Sequence, residues 1–253
     1  MEIIKFKKMK NSKYLISLDN GIEYILYDDI IIKYNLLYNS NISVEKLKQV
    51  VEENEKYLYY DDIVKLISKR LRSKKEIIDF LEKKGLDDSN KKILLERLEL
   101  EGLINDYVFS NAYINDKINL TNDGPLKIKK ELLLEGIEDP LIDVLLSNIE
   151  DSLLYNKAFN IATKMVKNDN KHGKIYIINN INLKLNNLGY YTSIIESVIS
   201  NLEFSPTKDL IKKEYEKLYY KYENKYDIYK LRAVIYSKLL AKGFSINEVK
   251  EVM

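Results

Sequence analysis

The chain has no cysteine, one histidine, three prolines and eight glycines among 253 residues. Without cysteine there is no disulfide framework and no thiolate chemistry. The single histidine, His172, lies in the polar stretch KNDNKHGK and is read as a solvated loop residue. No histidine or cysteine spacing suited to a metal exists. Long apolar runs are also missing. Ile30-Ile31-Ile32 falls far short of the roughly 20 residues that cross a bilayer. The opening MEIIKFKKMK lacks the apolar run of a signal peptide, so the expectation is a cytoplasmic protein with no membrane partner. Neither G-x-x-x-x-G-K-[ST] nor G-x-G-x-x-G occurs, which removes the common phosphate cradles. Carboxylate pairs such as Asp61-Asp62 and Glu52-Glu53 belong to helix starts or solvated faces. The chain is therefore read as a non-enzyme, with no catalytic residue, metal or cofactor.

What is present fits a soluble globular protein, 45% hydrophobic and 32% charged. Residues 1–28 have strand texture. In KYLISLDNGIEYILY, β-branched and aromatic residues flank Asp19-Asn20-Gly21, and Asn-Gly between such runs signals a hairpin because both residues tolerate positive φ. Met1 to Lys8 would add a third strand. Two strands alone are marginal, so the sheet must lean on something. Asp28-Asp29 is expected to cap a short helix over IIIKYNLLY.

From about residue 43 onward the signals are helical, with apolar residues three and four apart. Four glycines organise this region: Gly85, Gly136, Gly189 and Gly243, spaced 51, 53 and 54 residues apart. Each is preceded at four residues by Leu81, Leu132, Leu185 or Leu239, and at eight by Ile77, Ile128, Ile181 or Ile235. Each is followed by Leu86, Ile137, Tyr190 or Phe244, and then by the pairs Leu94-Leu95, Leu145-Leu146, Val198-Ile199 and Val252-Met253. Residues four apart share one helix face. A glycine after the helix closes it in the left-handed conformation, and the next apolar residue folds back as in a Schellman motif. Asp87 or Asp88, Asp139, Thr192 and Ser245 are expected to cap the following helices, with Pro140 at the favoured first position. The first helices of the units are read as Tyr60 to Arg72, Asp106 to about Asn119, Ser152 to Lys167 and Thr207 to Glu223.

The fold class is therefore mainly α: tandem three-helix repeats in an elongated curved array, with a small N-terminal antiparallel β element. The expected organisation is residues 1–42, the sheet extension and short helix; 43–104, a lead-in helix and repeat 1; 105–151, repeat 2; 152–204, repeat 3; and 205–253, a shorter repeat 4.

A net charge of +2 says little about partners, so any basic patch must be local. Residues 63–75, IVKLISKRLRSKK, carry Lys65, Lys69, Arg70, Arg72, Lys74 and Lys75 with no acid. Lys127, Lys129 and Lys130 open the second helix of the next repeat. Residues 208–232 interleave eight bases and five acids with six tyrosines. Such interleaving suits nucleic acid, but a tyrosine-rich helix more often packs its rings and wets its hydroxyls.

The stretch from Leu71 to Ile137 resembles the RecX family of bacterial RecA regulators. The family's first repeat typically reads Arg, any residue, Ser, then an acid with an aliphatic residue, ending in Lys-Gly-apolar. Arg70-Leu71-Arg72-Ser73, Glu76-Ile77 and Lys84-Gly85-Leu86 stand at those places. Ser73 and Glu76 also have capping-box spacing. The family's link to the second repeat is similar to Gly102-Leu103-Ile104-Asn105-Asp106-Tyr107-Val108-Phe109-Ser110, and its G-x-x-x-I-x-x-E-L motif matches Gly124, Ile128, Glu131 and Leu132. Val108 departs from the arginine often found there, and a fourth repeat exceeds the three of many members. The N-terminal hairpin resembles the extension of members from low-GC Gram-positive bacteria.

The resemblance implies a protein that binds the RecA filament and modulates it, inhibiting its ATPase and strand exchange and destabilising the filament. The partner is then RecA, with direct DNA contact as a further possibility and a monomer as the expected state. Lys65, Lys69, Arg70, Arg72, Lys127 and Lys130 are the residues expected to face acidic RecA surface or DNA phosphate. Two other readings stay open: a DNA-binding helical-repeat protein acting without RecA, and a neutral helical scaffold.

Overall fold

Strands β1 (Ile3–Lys8), β2 (Lys13–Leu18) and β3 (Glu23–Tyr27) form an antiparallel sheet in the order β1-β2-β3. The computed structural model describes residues 1–10, 12–205 and 207–253. It divides into two units, Met1–Phe109 and Ser110–Met253.

In the first unit, cross-strand register sets Phe6, Ile16 and Tyr24 in one row and Tyr14 beside Leu26. This face is the buried one. Ile16, Leu18 and Leu26 are fully covered, by Ile30 and Ile31 of α1 (Asp28–Lys33) and by Leu47 and Val50 of α2 (Val44–Ile67). The β2–β3 turn differs from a two-residue Asn-Gly turn. Only Gly21 takes a positive φ, +81°, while the Asn20 side chain accepts the Ile22 amide at 3.0 Å. The expected Asp28-Asp29 cap of α1 is absent. The N-cap is Tyr27, without a side-chain bond, because Asp28 binds the Asp29 amide and Asp29 accepts the Tyr57 hydroxyl. On the open side of β3, Asn54 of α2 replaces a fourth strand. Its Oδ1 accepts the Tyr27 amide at 2.9 Å and its Nδ2 donates to the Ile25 carbonyl at 3.0 Å.

Helix α2 is one 24-residue helix, where a lead-in helix and a separate helix over Tyr60–Arg72 were expected. Nothing between Ser43, whose hydroxyl caps it at Lys46, and Ile67 interrupts the helix, since the segment has no glycine or proline. It ends five residues before Arg72. Ser68 turns its hydroxyl back to the Lys65 carbonyl, and Ser73 takes the extended conformation needed to cap α3 (Lys74–Lys83). With α4 (Asp88–Leu100), these helices enclose Ile63, Ile77, Leu81, Leu98 and Ile104.

The second unit follows from α5 (Asp106–Leu120), whose first turn belongs to the first unit. Helices α6 (Pro125–Leu134) and α7 (Asp139–Ser147) complete one group of three. Helices α8 (Asp151–Asn168), α9 (Lys174–Leu188) and α10 (Thr192–Ser200) form the next. Helices α11 (Lys208–Tyr222), α12 (Ile228–Ala241) and α13 (Ile246–Val252) form the last.

The repeated sequence pattern has a repeated structural result. All eight of its isoleucines and leucines, Ile77 and Leu81 through Ile235 and Leu239, are at most 1% exposed. Burying each such side chain stabilises by about 1.5–3 kcal/mol. The four glycines have φ between +78° and +83°. After each, the next amide reaches the carbonyl of the pattern's leucine: Leu86 to Leu81, Ile137 to Leu132, Tyr190 to Leu185 and Phe244 to Leu239, at 3.1–3.3 Å. These are Schellman closures.

Two of these glycines also join neighbouring groups. The Gly124 amide donates to the Leu188 carbonyl at 2.6 Å, and Leu126 donates to Gly189 at 2.9 Å. One group further on, Gly173 donates to Lys242 at 2.8 Å and Ile175 to Gly243 at 3.1 Å. Gly124 and Gly173 are the N-caps of α6 and α9. Each therefore meets the closing glycine of the corresponding helix in the following group, main chain against main chain. A Cβ at Gly124 would lie 2.6 Å from the Gly189 carbonyl, and one at Gly173 only 2.2 Å from the Gly243 oxygen.

The expected caps divide. Asp87 caps α4 by accepting the Asn90 amide at 3.0 Å, and Ser245 with Glu248 forms a capping box at α13. Asp139 and Thr192 instead sit inside the first turns, behind the N-caps Glu138 and Tyr191, neither of which makes a side-chain cap bond. The Asp139 carboxylate is held 2.7 Å from Lys129, and Pro140 sits in a turn whose amides have no helical partner in any case.

Candidate partner-binding surface

The residues expected to meet a partner fall in both units. In the first unit, Lys69, Arg70 and Arg72 lie on the link between α2 and α3 rather than on a helix. The link is short because Ser73 must start α3. The Glu76 amide donates to Ser73 Oγ at 3.1 Å, and the Ser73 amide donates to Glu76 Oε2 at 3.2 Å. That capping glutamate also gathers the arginines. Arg70 Nη1 donates to Glu76 Oε2 at 3.0 Å, and Arg72 Nη1 to Glu76 Oε1 at 3.2 Å. Burial pushes the Glu76 carboxyl up, but the Arg70 and Ser73 hydrogen bonds outweigh it and hold it below the usual range. The three side chains thus present a net charge of one, and Arg72 is largely covered. Lys65 is exposed but paired to Asp61 at 2.5 Å. Lys69 is exposed and has no carboxylate partner among the described residues.

In the second unit, Lys127 projects from the first turn of α6 and pairs with Asp123 at 2.6 Å. Asp123 is 7% exposed and also receives Lys117 at 3.4 Å. Burial opposes its charge, yet Lys127 and Lys117 keep its carboxyl below the ordinary value. Its charge, after burial, raises the nearby Tyr190 phenol, whose hydroxyl is buried without a partner. Lys130 is exposed and unpaired among the described residues. Lys129 pairs with Asp139 and Asp143. Of the six candidates, then, Lys69 and Lys130 have no carboxylate partner among the described residues.

The tyrosines of residues 208–232 mostly pack. Tyr215, Tyr219, Tyr222 and Tyr226 lie against the core of Ile211, Leu231, Ile235 and Leu239, while Tyr220 and Tyr229 are 71% and 85% exposed. His172 is not solvated as expected. Its ring is half-buried, stacks on Tyr176 at 3.9 Å between centroids, and meets the Asp169 carboxylate at 2.9 Å. The cause is its position just before Gly173, where the chain is drawn in to make the inter-group contact.

The residues singled out from the sequence leave out the N-terminal lysines. Lys5, Lys7, Lys8 and Lys10 are exposed, and none pairs with a carboxylate among the described residues. The signal was visible in MEIIKFKKMKNSK, which holds five lysines and one acid. An open groove of about 830 Å³ in the second unit, lined by Lys157, Lys164, Lys171 and Lys184, also escaped the sequence reading. Lys157 is committed there to the end of α5, donating to the Ile118 and Thr121 carbonyls. Among the described residues no cluster of metal-ligating side chains occurs, and no helix is long and apolar enough to cross a membrane.

No protein-family model matches the chain. Whole relatives do. A regulatory protein RecX of Streptococcus agalactiae is 30% identical over 260 residues, spanning all of this chain and 98% of the relative. The RecX of Oceanobacillus iheyensis is 26% identical, over 97% of this chain and 93% of its own. Among solved structures, a crystal structure of regulatory protein RecX superposes with a TM-score of 0.68 at 19% identity, over 79% of this chain and 99% of the other. The RecX of Lactobacillus salivarius superposes with a TM-score of 0.57 at 25% identity, over 59% and 97%.

Proposed function

The chain belongs to the RecX family of regulatory proteins, and from that membership we propose that it binds the RecA recombinase filament and inhibits it. The observation that carries this reading is the end-to-end match to proteins named regulatory protein RecX, with 98% of the Streptococcus agalactiae relative covered. In this reading the action is binding, not catalysis. Attachment lowers ATP hydrolysis and strand exchange and destabilises the filament in recombination and DNA repair, in the cytoplasm where RecA works. Lys69 and Lys130 make the leading contacts with acidic RecA surface or DNA phosphate, because neither has a carboxylate partner among the described residues. Lys65, Arg70, Arg72 and Lys127 support them, each giving up part of an internal ion pair to do so. Solvent screens the exposed Lys65–Asp61 pair, so exchanging it for an external anion costs little, while the more covered pairs of Arg72 and Lys127 cost more to open.

The test is DNA-dependent ATP hydrolysis by the cognate RecA, with this protein titrated from substoichiometric amounts. Inhibition well below one molecule per RecA supports a filament regulator. Unchanged hydrolysis at equimolar protein, with filaments intact by electron microscopy, overturns the reading. Lys69→Glu with Lys130→Glu is expected to raise the half-inhibiting concentration at least several-fold. An unchanged titration would remove those two residues from the interface while leaving the regulatory reading in place.

A further inference from the structure

Positive charge is dense at the start of the chain, as it is across residues 157–174. Residues 1–18 hold five lysines and one glutamate, a formal +4, whereas the chain as a whole carries +2. The remaining residues therefore sum to −2. Every ion pair found among the described residues involves residues from Lys33 onward, so Lys5, Lys7, Lys8 and Lys10 have no carboxylate partner there.

The antiparallel register sorts these charges along the sheet. Glu2, Asp19 and Glu23 gather at the end where Ile3 faces Leu18 and Ser17 faces Glu23. Lys7, Lys8, Lys10 and Lys13 gather at the opposite end, where Lys7 faces Leu15 and Lys8 faces Tyr14. Asp28 lies at that basic end through its main-chain bond to Ser12, and its carboxylate accepts the Asp29 amide. Glu23 accepts the Ser17 hydroxyl at 2.8 Å. Lys13 lies over the Tyr27 ring at 4.7 Å.

The aromatic side chains of the same strands point elsewhere. Phe6, Tyr14 and Tyr24 pack against the core. No ring is offered on which an unpaired base could stack, and stacking is what favours single strands. Ile4 and Met9, in and just after β1, are exposed and separated by lysines, and the exposed Ile22 and Ile25 belong to the β3 side of the sheet. What is presented is a group of ammonium side chains at one end of the three-stranded sheet, with β1 at its edge.

We propose that the basic end of β1 and β2 binds the phosphate backbone of double-stranded DNA, without reading sequence and independently of the helical repeats. The binding requires no RecA, so its failure and that of the regulatory reading are separate results.

The experiment is anisotropy of a fluorescein-labelled duplex of mixed sequence, across a salt series, with the full chain alone. K5Q/K7Q/K8Q/K10Q is compared with K167Q/K208Q/K212Q/K213Q, which removes the same charge from exposed helical positions. Each phosphate contact contributes roughly 0.9 to the slope of log affinity against log salt. The sheet variant is expected to lose about 3 from that slope and bind at least tenfold more weakly, and the helical variant to keep most of both. A smaller variant, K7Q/K8Q, is expected to lose about half as much slope, which separates contact loss from unfolding, as does an unchanged circular-dichroism melt. Equal losses in the two fourfold variants would overturn the assignment. So would the absence of duplex binding by the wild type, a loss confined to single-stranded DNA, or a loss seen only with an acidic protein partner.

Discussion

Gly85 and Gly243 do the same thing to the backbone and different things to their surroundings. Both close a helix at φ near +80°, and both are followed by an amide that reaches back to the pattern's leucine. Around Gly85 a Cβ would meet nothing within 4 Å. At Gly243 it would lie 2.2 Å from the Tyr176 amide, and at Gly189 it would lie 2.4 Å from that of Lys127. Glycine is therefore demanded by conformation in every repeat, but by space only where the main chain of another group is pressed against it. The sequence pattern alone does not separate the two demands.

Substitution separates them. Gly189→Ala or Gly243→Ala adds left-handed strain of about 1–2 kcal/mol to overpacking of about 1–3 kcal/mol, so urea unfolding is expected to show a loss of about 2–5 kcal/mol. Gly173→Ala has no backbone strain, since its φ is −76°, and isolates the packing part at about 1–3 kcal/mol. If it proves neutral, the contact is looser than described.

The segment that brings Gly124 into its contact is tied down by Asp123, whose carboxylate holds Lys117 and Lys127. Asp123→Asn should lose about 1.5–3 kcal/mol at neutral pH. Because the folded-state pKa of Asp123 is depressed, its contribution is fully present above the unfolded value of about 3.9 and disappears as pH falls through the lower folded value. Wild type and variant should therefore converge once the pH falls below that lower folded value, and a constant gap down to acid would exclude this origin.

Gly85→Ala should cost only the conformational part, about 1–2 kcal/mol. A loss matching that of Gly243→Ala would erase the comparison. Smallest of all, Ser73→Ala and Ser245→Ala should each lose about 0.5–2 kcal/mol in thermal or urea unfolding. The Ser73 variant should lose more, since Glu76 also organises Arg70 and Arg72. Equal losses would show that the arginine cluster stands without the box.

The helical pattern was legible in the sequence because isoleucine, leucine and glycine at fixed spacing encode a local event, the closure of one helix. Events that depend on distant partners were not. The continuity of α2 through residues expected to belong to two helices follows from the absence of any breaker, which a search for repeats obscures. The cap at Asp139 was misplaced because the side chain that captures it, Lys129, lies ten residues away, and Thr192 sits one residue inside its helix, behind Tyr191. Among the candidate contacts, the sequence showed six cations near 63–75 without an acid, but Glu76 stands just outside that window and takes up two of them. Conversely, the N-terminal lysines read as strand residues. Their significance came from the register that sets them together and from the helices that leave them no carboxylate.

The glycine contacts between α6, α9 and their successors bear on how much sequence is needed to specify the joints of this molecule. Recognition there is carried by amides and carbonyls, which every residue possesses, so a joint is encoded by the two positions where a side chain must be missing. Few letters are committed, and the outward faces of neighbouring groups are free to vary without disturbing their spacing. A frame written so sparsely is compatible with relatives that share under a third of their residues over almost their whole length. It also lets surface chemistry be rewritten one group at a time.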